Sequence, residues 1–152
     1  IISQYDLVAD GCDNFATRFL VNDACYFAKV PLVSAAVGQF EGQLAVFRPF
    51  ERDAEGKPKP NYRDFVGETP PPGSVPTCEE AGVMGALTGV VGSLQALEVI
   101  KEITGAGTSL AGKLLIYDAL ETRFRTVKLK WDPKNPLTGE TPSIKDLSIH
   151  SV

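Results

Sequence analysis

The sequence lacks three features that mark large classes of protein. It has no excess of basic residues, since 15 lysines and arginines stand against 19 acidic residues for a net charge of -4. This balance argues against a basic surface for nucleic acid or an anionic membrane. There is no glycine-rich phosphate loop of either the dinucleotide-binding or the Walker type. The only histidine, His150, lies in the C-terminal tail and supports neither a metal site nor a catalytic pair.

Cysteine is also scarce. The three cysteines, Cys12, Cys25 and Cys78, are an odd number and do not resemble a disulfide scaffold, so the sequence fits the reducing cytoplasm. Cys12 and Cys25 are expected to be small buried apolar residues. No secretory signal peptide is found, and the chain opens on Ile1 rather than methionine, a few residues before a strand. We therefore expect the sequence to be part of a longer protein.

The residues that are present predict an α/β fold. At 152 residues the chain is long enough for one domain with a substantial core. Residues 5–9 and 31–37 have the character of strands buried in a parallel sheet, and residues 15–29 between them predict a helix. A right-handed βαβ unit is the expected result. Residues 41–47 follow too closely for another crossover, so they predict an antiparallel strand that completes a unit over residues 5–48.

The second part of the chain divides into four segments. Residues 49–76 lose all periodicity, contain seven prolines and predict a long crossover loop. Residues 77–105 predict one long helix, and residues 112–130 predict a β-hairpin whose second strand has one solvated face. Residues 131–152 are rich in turn residues and are expected to lie over the surface. Together, residues 1–152 predict a single domain.

A cysteine stands at the start of the predicted long helix. Thr77 followed by Glu80 forms a capping-box pattern, so Thr77 is the expected N-cap and Cys78 the first helical residue. Free backbone N–H groups and the positive end of the helix dipole favour a thiolate there, whereas Glu79 and Glu80 oppose it by charge repulsion. Cys78 is therefore a candidate nucleophile. Gly105 is the expected left-handed residue that ends the helix.

Residues 81–97 of this helix carry no charge, which leaves two interpretations. One is a transmembrane segment with a small-residue dimer motif. The other, which we favour, is a buried helix in a soluble sheet protein, because the stretch is short and includes Thr88, Ser93 and Gln95. An apolar stripe at helical spacing supports this interpretation and consists of Val83, Leu87, Val90, Leu94 and Leu97.

The polar residues after the first strand are the other candidates for a site. Asp13 and Asn14 follow the carboxyl end of a parallel strand, where open α/β sheets bind their ligands. A carboxylate there suits Mg²⁺ and an amide suits a phosphate or ribose, whereas the alternative is a simple helix N-cap. Arg18 either reaches the same site or forms an ion pair on the helix face that it shares with Asn22.

Five motifs occur in an order that resembles a known family. They are D-N-x-x-x-R-x-x-x-N at Asp13, Asn14, Arg18 and Asn22, K-V-P-L-V-S-A-A at residues 29–36, E-G-Q at 41–43, T-C-x-E-A-G-V-M at 77–84, and Y-D-A with F-R at 117–119 and 124–125. Over residues 5–129 the chain resembles the C-terminal part of the MoeB/ThiF/HesA group, bacterial relatives of ubiquitin-activating enzymes. The resemblance implies a partial domain, the C-terminal half of a Rossmann-like sheet with mixed parallel and antiparallel strands.

The resemblance also implies an activity. Members of the group use Mg-ATP to adenylate the C-terminal glycine of a small ubiquitin-like sulfur carrier, and they form homodimers. The T-C-x-E-A-G-V-M motif is similar to the MoeB form, which implies a MoaD-type carrier and molybdenum cofactor (molybdopterin) biosynthesis. A ThiS-type carrier of the thiamine pathway is the alternative. The loop over residues 49–76 resembles the crossover segment beneath which the tail of the carrier threads.

The resemblance assigns roles to individual residues. Asp13 matches the acidic residue that serves Mg-ATP, and Asn14 matches its nucleotide-contacting neighbour. Arg18 and Asn22 match helix positions that line the same site. Cys78 matches a cysteine that takes part in thioester or persulfide chemistry in parts of the family.

The sequence departs from the family pattern in two respects. Four zinc-binding cysteines of the family are replaced, and their positions hold Asn61, Asp64, Asn135 and Thr138. A closed zinc site needs four strong ligands, so we predict no zinc. The glycine-rich ATP loop is also missing, so we predict that this chain is inactive alone.

The sequence also leaves open two functions of other classes. One is a binding module that docks a ubiquitin-like protein without chemistry. The other is half of an ordinary dinucleotide-binding dehydrogenase, which has weak support because no hydride-transfer constellation is present.

Overall fold

The computed structural model describes residues 1–68, 70–71 and 78–150, with only the backbone described for residues 78 and 79. Five strands form one sheet in sequence order: β1 (Val8–Asp10), β2 (Leu32–Val37), β3 (Glu41–Phe47), β4 (Lys113–Asp118) and β5 (Arg123–Lys128). The described ranges also hold four α-helices: α1 (Phe15–Ala28), α2 (Tyr62–Val66), α3 (Cys78–Ala81) and α4 (Gly85–Thr104). Short 3-10 turns occur at Ile2–Gln4 and Leu147–His150.

The predicted βαβ unit with an added antiparallel strand is confirmed. β1 and β2 pair in parallel with α1 between them, and β2, β3, β4 and β5 continue as antiparallel neighbours. α1 begins where Asn14 Oδ1 accepts the Thr17 backbone N–H at 2.8 Å, and it ends at Lys29 in the left-handed conformation. The β4–β5 hairpin is confirmed too, although every residue of β5 is exposed.

The sheet separates two apolar cores. The core that α1 and α2 cover consists of Phe19, Cys25, Leu32, Ala45, Phe47, Tyr62 and Leu114. The core that α4 covers consists of Val33, Ala35, Leu44, Val46, Leu87 and Val91. Neighbouring strand residues alternate between the two because successive side chains of a strand point to opposite faces. The result is a three-layer α/β/α arrangement.

The prediction of a single helix over residues 77–105 is wrong. The chain leaves the helical conformation after α3 at Gly82, whose φ of +73° is one that residues with a Cβ rarely adopt. Met84 is extended, and α4 then begins without a side-chain cap. The predicted N-cap, Thr77, lies outside the described residues. The predicted end at Gly105 is confirmed, in the left-handed conformation.

α4 is buried on one side only. Leu87 and Val91 are nearly inaccessible, whereas Val90 and Leu97 from the predicted apolar stripe are 38% and 56% exposed. In the parts of the chain that the structure describes, no helix combines the length and the apolar content needed to cross a membrane. The interpretation of α4 as a buried helix therefore holds for the side that faces the sheet.

The predicted loop over residues 49–76 contains a short helix. α2 begins with a capping box, in which Asn61 Oδ1 accepts the Arg63 backbone N–H and the Asp64 carboxylate accepts the Asn61 backbone N–H. This box is the same device that predicts a helix at Thr77, with asparagine and aspartate in place of threonine and glutamate. The surrounding prolines conceal the pattern in the sequence.

The tail, predicted to lie over the surface, is partly buried. Leu137 and Ile144 are 1% and 7% exposed. The indole N–H of Trp131 donates to the Thr138 carbonyl oxygen at 3.1 Å, which closes a compact turn. The tail therefore contributes to the packing of the domain.

Candidate functional site

A groove of about 570 Å³ opens at the carboxyl ends of β1 and β2. The loop over residues 11–14, which carries Asp13, forms its polar side. The apolar side is lined by Phe47, Tyr62, Phe65, Val66 and Leu114. Thr88 and Gln95 of α4 and the break between α3 and α4 complete it. This is the edge of the sheet where the sequence predicts a site.

A buried ion pair shapes the loop that carries Asp13. The Asp10 carboxylate at the end of β1 lies 3.4 Å from Arg18 Nη1 and accepts the Cys12 backbone N–H at 3.0 Å. Arg18 Nη2 donates to the carbonyl oxygens of Cys12 and, at 2.8 Å, Ala35. These added hydrogen bonds offset the cost of removing two charges from water. Arg18 thus ties the loop to β2.

The surroundings of Arg18 fit an ion pair within the fold. It lines the groove, but its side chain is only 9% exposed and its donors are directed at its own chain. The ion pair is the interpretation that the structure supports, with Asp10 as its partner instead of a residue on an exposed helix face. Contact between Arg18 and a bound nucleotide stays a prediction.

Gln95 is a residue of the site that the sequence analysis does not single out as functional. Its Nε2 donates to the carbonyl oxygens of Asp10 at 2.9 Å and Val33 at 3.0 Å. These bonds link α4 to the end of β1 and to the beginning of β2, and so fix the point from which the Asp13 loop begins. The available hint is that Gln95 places an amide in the uncharged stretch over residues 81–97.

Asp13 and Asn14 differ in their freedom to bind a ligand. Asn14 is the N-cap of α1, so the N-cap alternative is confirmed for it, and its amide nitrogen lies 3.4 Å from Asp13 Oδ1. Asp13 is exposed and lines the groove. Among the residues that the structure describes, no three His, Cys, Asp or Glu side chains are grouped to hold a metal ion. A divalent cation at Asp13 would therefore share its coordination with phosphate and water, as Mg²⁺ commonly does.

The placement of Asn22 at the nucleotide stays a prediction, although Asn22 is not among the residues that line the groove. Asn22 is 1% exposed, and its Oδ1 accepts the Tyr62 backbone N–H at 3.0 Å while its Nδ2 donates to Asp23 at 3.0 Å. It lies one helical turn beyond Arg18, about 6 Å further from the helix start. The groove reaches the first turn of α1, so Asn22 serves the contact between α1 and α2.

Cys78 can be placed by its backbone alone. It begins α3, and its side chain lies outside the described residues. Ala81, at the other end of the same helix, lines the groove. The role of Cys78 stays a prediction.

The other two cysteines have little thiolate character. Cys25 is buried as expected, and burial raises its pKa to about 12. Cys12 is only partly buried and lines the groove. A side-chain hydrogen bond to Asp10, followed by burial, raises the pKa of Cys12 to about 11.

We therefore expect iodoacetamide to leave Cys12 and Cys25 unmodified at pH 7.5, as peptide mass spectrometry would measure. Because the thiolate is the reactive form, alkylation of Cys12 should rise about tenfold per pH unit until its pKa is reached. The same peptides in urea serve as the control, since their thiols should react rapidly once burial and the neighbouring Asp10 no longer raise their pKa. Equal rates for Cys12 in the native and unfolded protein at pH 7.5 would contradict this expectation.

This chain is similar in sequence to a known protein family. The model of the ThiF family matches residues 1–138. A "Sulfur carrier protein adenylyltransferase" of Thermus thermophilus is 48% identical over 147 residues, which cover 97% of this chain and 54% of the relative. "Probable adenylyltransferase/sulfurtransferase MoeZ" of Mycobacterium tuberculosis is 49% identical over 140 residues, which cover 92% of this chain and 35% of the relative. The chain thus spans about half or less of the length of these relatives.

A solved structure supports the fold. E. coli MccB superimposes with a TM-score of 0.69 over 90% of this chain and 39% of its own, at 15% sequence identity. At this identity the likeness concerns the fold and carries no information about substrate.

Proposed function

This chain belongs to the ThiF family, and on that basis we propose that it forms the carrier-binding half of an ATP-dependent adenylyltransferase. In the proposed reaction, the C-terminal glycine carboxylate of a ubiquitin-like sulfur carrier attacks the α-phosphorus of ATP. The bond from the α-phosphorus to its bridging oxygen breaks, and pyrophosphate leaves. The names of the relatives at 48–49% identity include "sulfur carrier" or "adenylyltransferase", which supports the assignment.

The observation that carries the proposal is that one groove at the carboxyl ends of β1 and β2 is lined by polar and by apolar side chains. Asp13 lines the groove together with Tyr62 and Phe65 of α2. The polar residues suit a nucleotide phosphate, and the apolar residues suit the thin glycine end of a peptide. Mg²⁺ bound there would neutralise phosphate charge. Asp13 would hold the cation, Asn14 would donate from its amide nitrogen, and Arg18 would keep the loop in shape.

Several finer assignments belong to the same proposal. Cys78 would displace AMP from the adenylated carrier to form a thioester, or would accept sulfane sulfur from a persulfide donor to form a persulfide. A MoaD-type carrier of molybdenum cofactor biosynthesis is preferred over a ThiS-type carrier of the thiamine pathway. A homodimer is supported by the exposed apolar side of α4, at Val90, Leu97, Ile100 and Ile103. We propose a cytoplasmic location from the free thiols, and no zinc from the residues at the four family cysteine positions.

The test is pyrophosphate exchange by the full-length protein with ATP and purified carrier. Asp13→Asn is expected to lower the exchange rate about 100-fold or more, because a metal-binding carboxylate contributes several kcal/mol to phosphoryl chemistry. Asp6→Asn, just before the same strand and also exposed, is the matched control and should retain exchange. The unaltered chain of residues 1–152 is expected to show no exchange, because it contains no glycine-rich phosphate loop.

Two outcomes would favour other functions. Carrier binding without exchange by the full-length protein would favour the non-catalytic binding module. Capture of a ThiS-type carrier in preference to a MoaD-type carrier would move the protein to the thiamine pathway. Exchange that survives Asp13→Asn would remove Asp13 from the proposed site.

A further inference from the structure

Two segments far apart in the sequence, residues 61–64 and 135–138, form matching turns that face each other. In each turn the side-chain oxygen of the leading asparagine accepts the backbone N–H two residues ahead, at 2.9 Å in both cases. Asn135 Oδ1 also accepts the Thr138 backbone N–H at 3.1 Å. Asparagine suits such turns because its side chain can replace a backbone group in a local hydrogen bond.

Hydrogen bonds join the two turns. Asn61 Nδ2 donates to Thr138 Oγ1 at 3.1 Å. The Asp64 carboxylate accepts the backbone N–H groups of Asn61 and Asp132, both at 2.8 Å. Burial raises the pKa of Asp64, although these two N–H groups and the Asn135 side chain act in the opposite direction. Because Asn61, Asn135 and Thr138 are at most 6% exposed, water competes little for these bonds.

The residues present do not fit the zinc ion that the family resemblance implies. Closed zinc sites use thiolate, imidazole or carboxylate ligands. Asn61, Asn135 and Thr138 offer neutral oxygens that already accept hydrogen bonds from within the chain. Asp64 is the single carboxylate of the four, and its two oxygens already accept backbone N–H groups.

We propose that residues 61–64 and 135–138 form a metal-free clasp that holds α2 in place as a wall of the groove. Tyr62 and Phe65 of α2 line the groove, and the clasp ties the start of α2 to the tail. α1 holds the same helix from another side, through the bond from the Tyr62 backbone N–H to Asn22. Four residues of the clasp are positioning residues, since they fix the wall without lining the groove: Asn61, Asp64, Asn135 and Thr138. The proposal does not depend on which substrate the groove takes.

Thr138→Val tests the clasp because it removes the hydroxyl at nearly constant volume and leaves the buried Asn61 amide without its acceptor. Hydrogen exchange followed by mass spectrometry is the measurement. Amides of residues 62–66 should exchange about tenfold faster, while those of β3 stay unchanged, because α2 can open without unfolding the sheet. Thr138→Ser keeps the hydroxyl and should restore slow exchange. Thr126→Val, on exposed β5, is the matched control and should change neither region.

Two results of that experiment would overturn the proposal. Unchanged exchange in α2 would mean that the bond to Thr138 does not hold this helix. Equally faster exchange in α2 and β3 would mean that Thr138 contributes only to global stability.

A second experiment tests the absence of metal and the convergence of the four positions. The natural chain, produced with added zinc, should carry far less than one zinc per chain by mass spectrometry, and a chelator should leave its Tm unchanged. A variant that combines Asn61→Cys, Asp64→Cys, Asn135→Cys and Thr138→Cys should bind about one zinc, because four converging thiolates make a tetrahedral site. Stoichiometric zinc in the natural chain, or a folded four-cysteine variant without zinc, would overturn the proposal. The Thr138→Val experiment decides the matter if that variant does not fold.

Discussion

Asp23→Ala is expected to lower the free energy of unfolding by about 3–5 kcal/mol, the usual cost of breaking a buried ion pair by removing one partner. The Asp23 side chain is fully buried and accepts Arg63 Nε at 2.8 Å and Nη2 at 2.7 Å. His150 Nε2 lies 2.7 Å from the same carboxylate, so the change affects α1, α2 and the tail together. Without Asp23 the guanidinium of Arg63 loses its counter-charge while its side chain stays 89% buried. Urea unfolding followed by circular dichroism measures the effect.

The matched control breaks a solvent-exposed ion pair of equal length. Glu55 lies 2.7 Å from Lys57, and both side chains are more than half exposed, so Glu55→Ala should leave the unfolding midpoint unchanged. Replacing Asp23 and Arg63 together by apolar residues should cost less than Asp23→Ala, because no lone charge then remains inside. A midpoint for Asp23→Ala equal to that of the Glu55→Ala control would contradict the assigned role.

Gly139→Ala is expected to cost about 3 kcal/mol of unfolding free energy by overpacking. A Cβ at this position would lie 2.4 Å from the Asn135 carbonyl oxygen and 2.5 Å from that of Pro133. These are backbone atoms, which cannot rotate away as the end of a side chain can. The Gly139 N–H also donates to the Asn135 carbonyl at 2.8 Å, so opening the turn would lengthen that bond.

The fluorescence of Trp131, the only tryptophan, separates local from global damage. Its indole donates to the Thr138 carbonyl, so release of the tail should shift its emission to the red before circular dichroism reports loss of helix. Gly38→Ala is the control, because its Cβ would meet only the Glu41 carbonyl oxygen at an ordinary 3.8 Å, and stability should change by less than about 1 kcal/mol. Wild-type emission and melting for Gly139→Ala would show that the turn tolerates a side chain.

Most strands and α1 could be predicted from local sequence because each satisfies its pattern by itself, whereas β1 is shorter and later (Val8–Asp10) than the predicted residues 5–9. Residues 31–37 are an apolar run of strand length, residues 44–47 are apolar and follow it closely, and Asn14 and Lys29 bound a helix close to the predicted extent. The break at Gly82 could not be predicted in this way. A glycine is compatible with both a continuous helix and a left-handed turn, and the choice depends on how α4 packs against β2 and β3.

The position of the candidate site could be predicted from the sequence, whereas the hydrogen-bond partners of its residues could not. The rule that open sheets bind ligands at the carboxyl ends of their strands places Asp13 correctly at the groove. It says nothing of partners that come from distant parts of the chain. Gln95 reaches the end of β1 across 85 positions, and Asn22 meets Tyr62 across 40. No sequence period connects residues so far apart.

The sequence by itself determined the βαβ order, the polar loop after β1 and, through ordered motifs, the family. The tertiary structure alone decided which polar side chains are free to bind and which are used by the fold: Asp13 is open, whereas Arg18 and Asn22 are engaged. The physical reason is that a buried polar group must find a partner inside the chain. That partner is set by three-dimensional packing, while the loop residue that stays in water needs none.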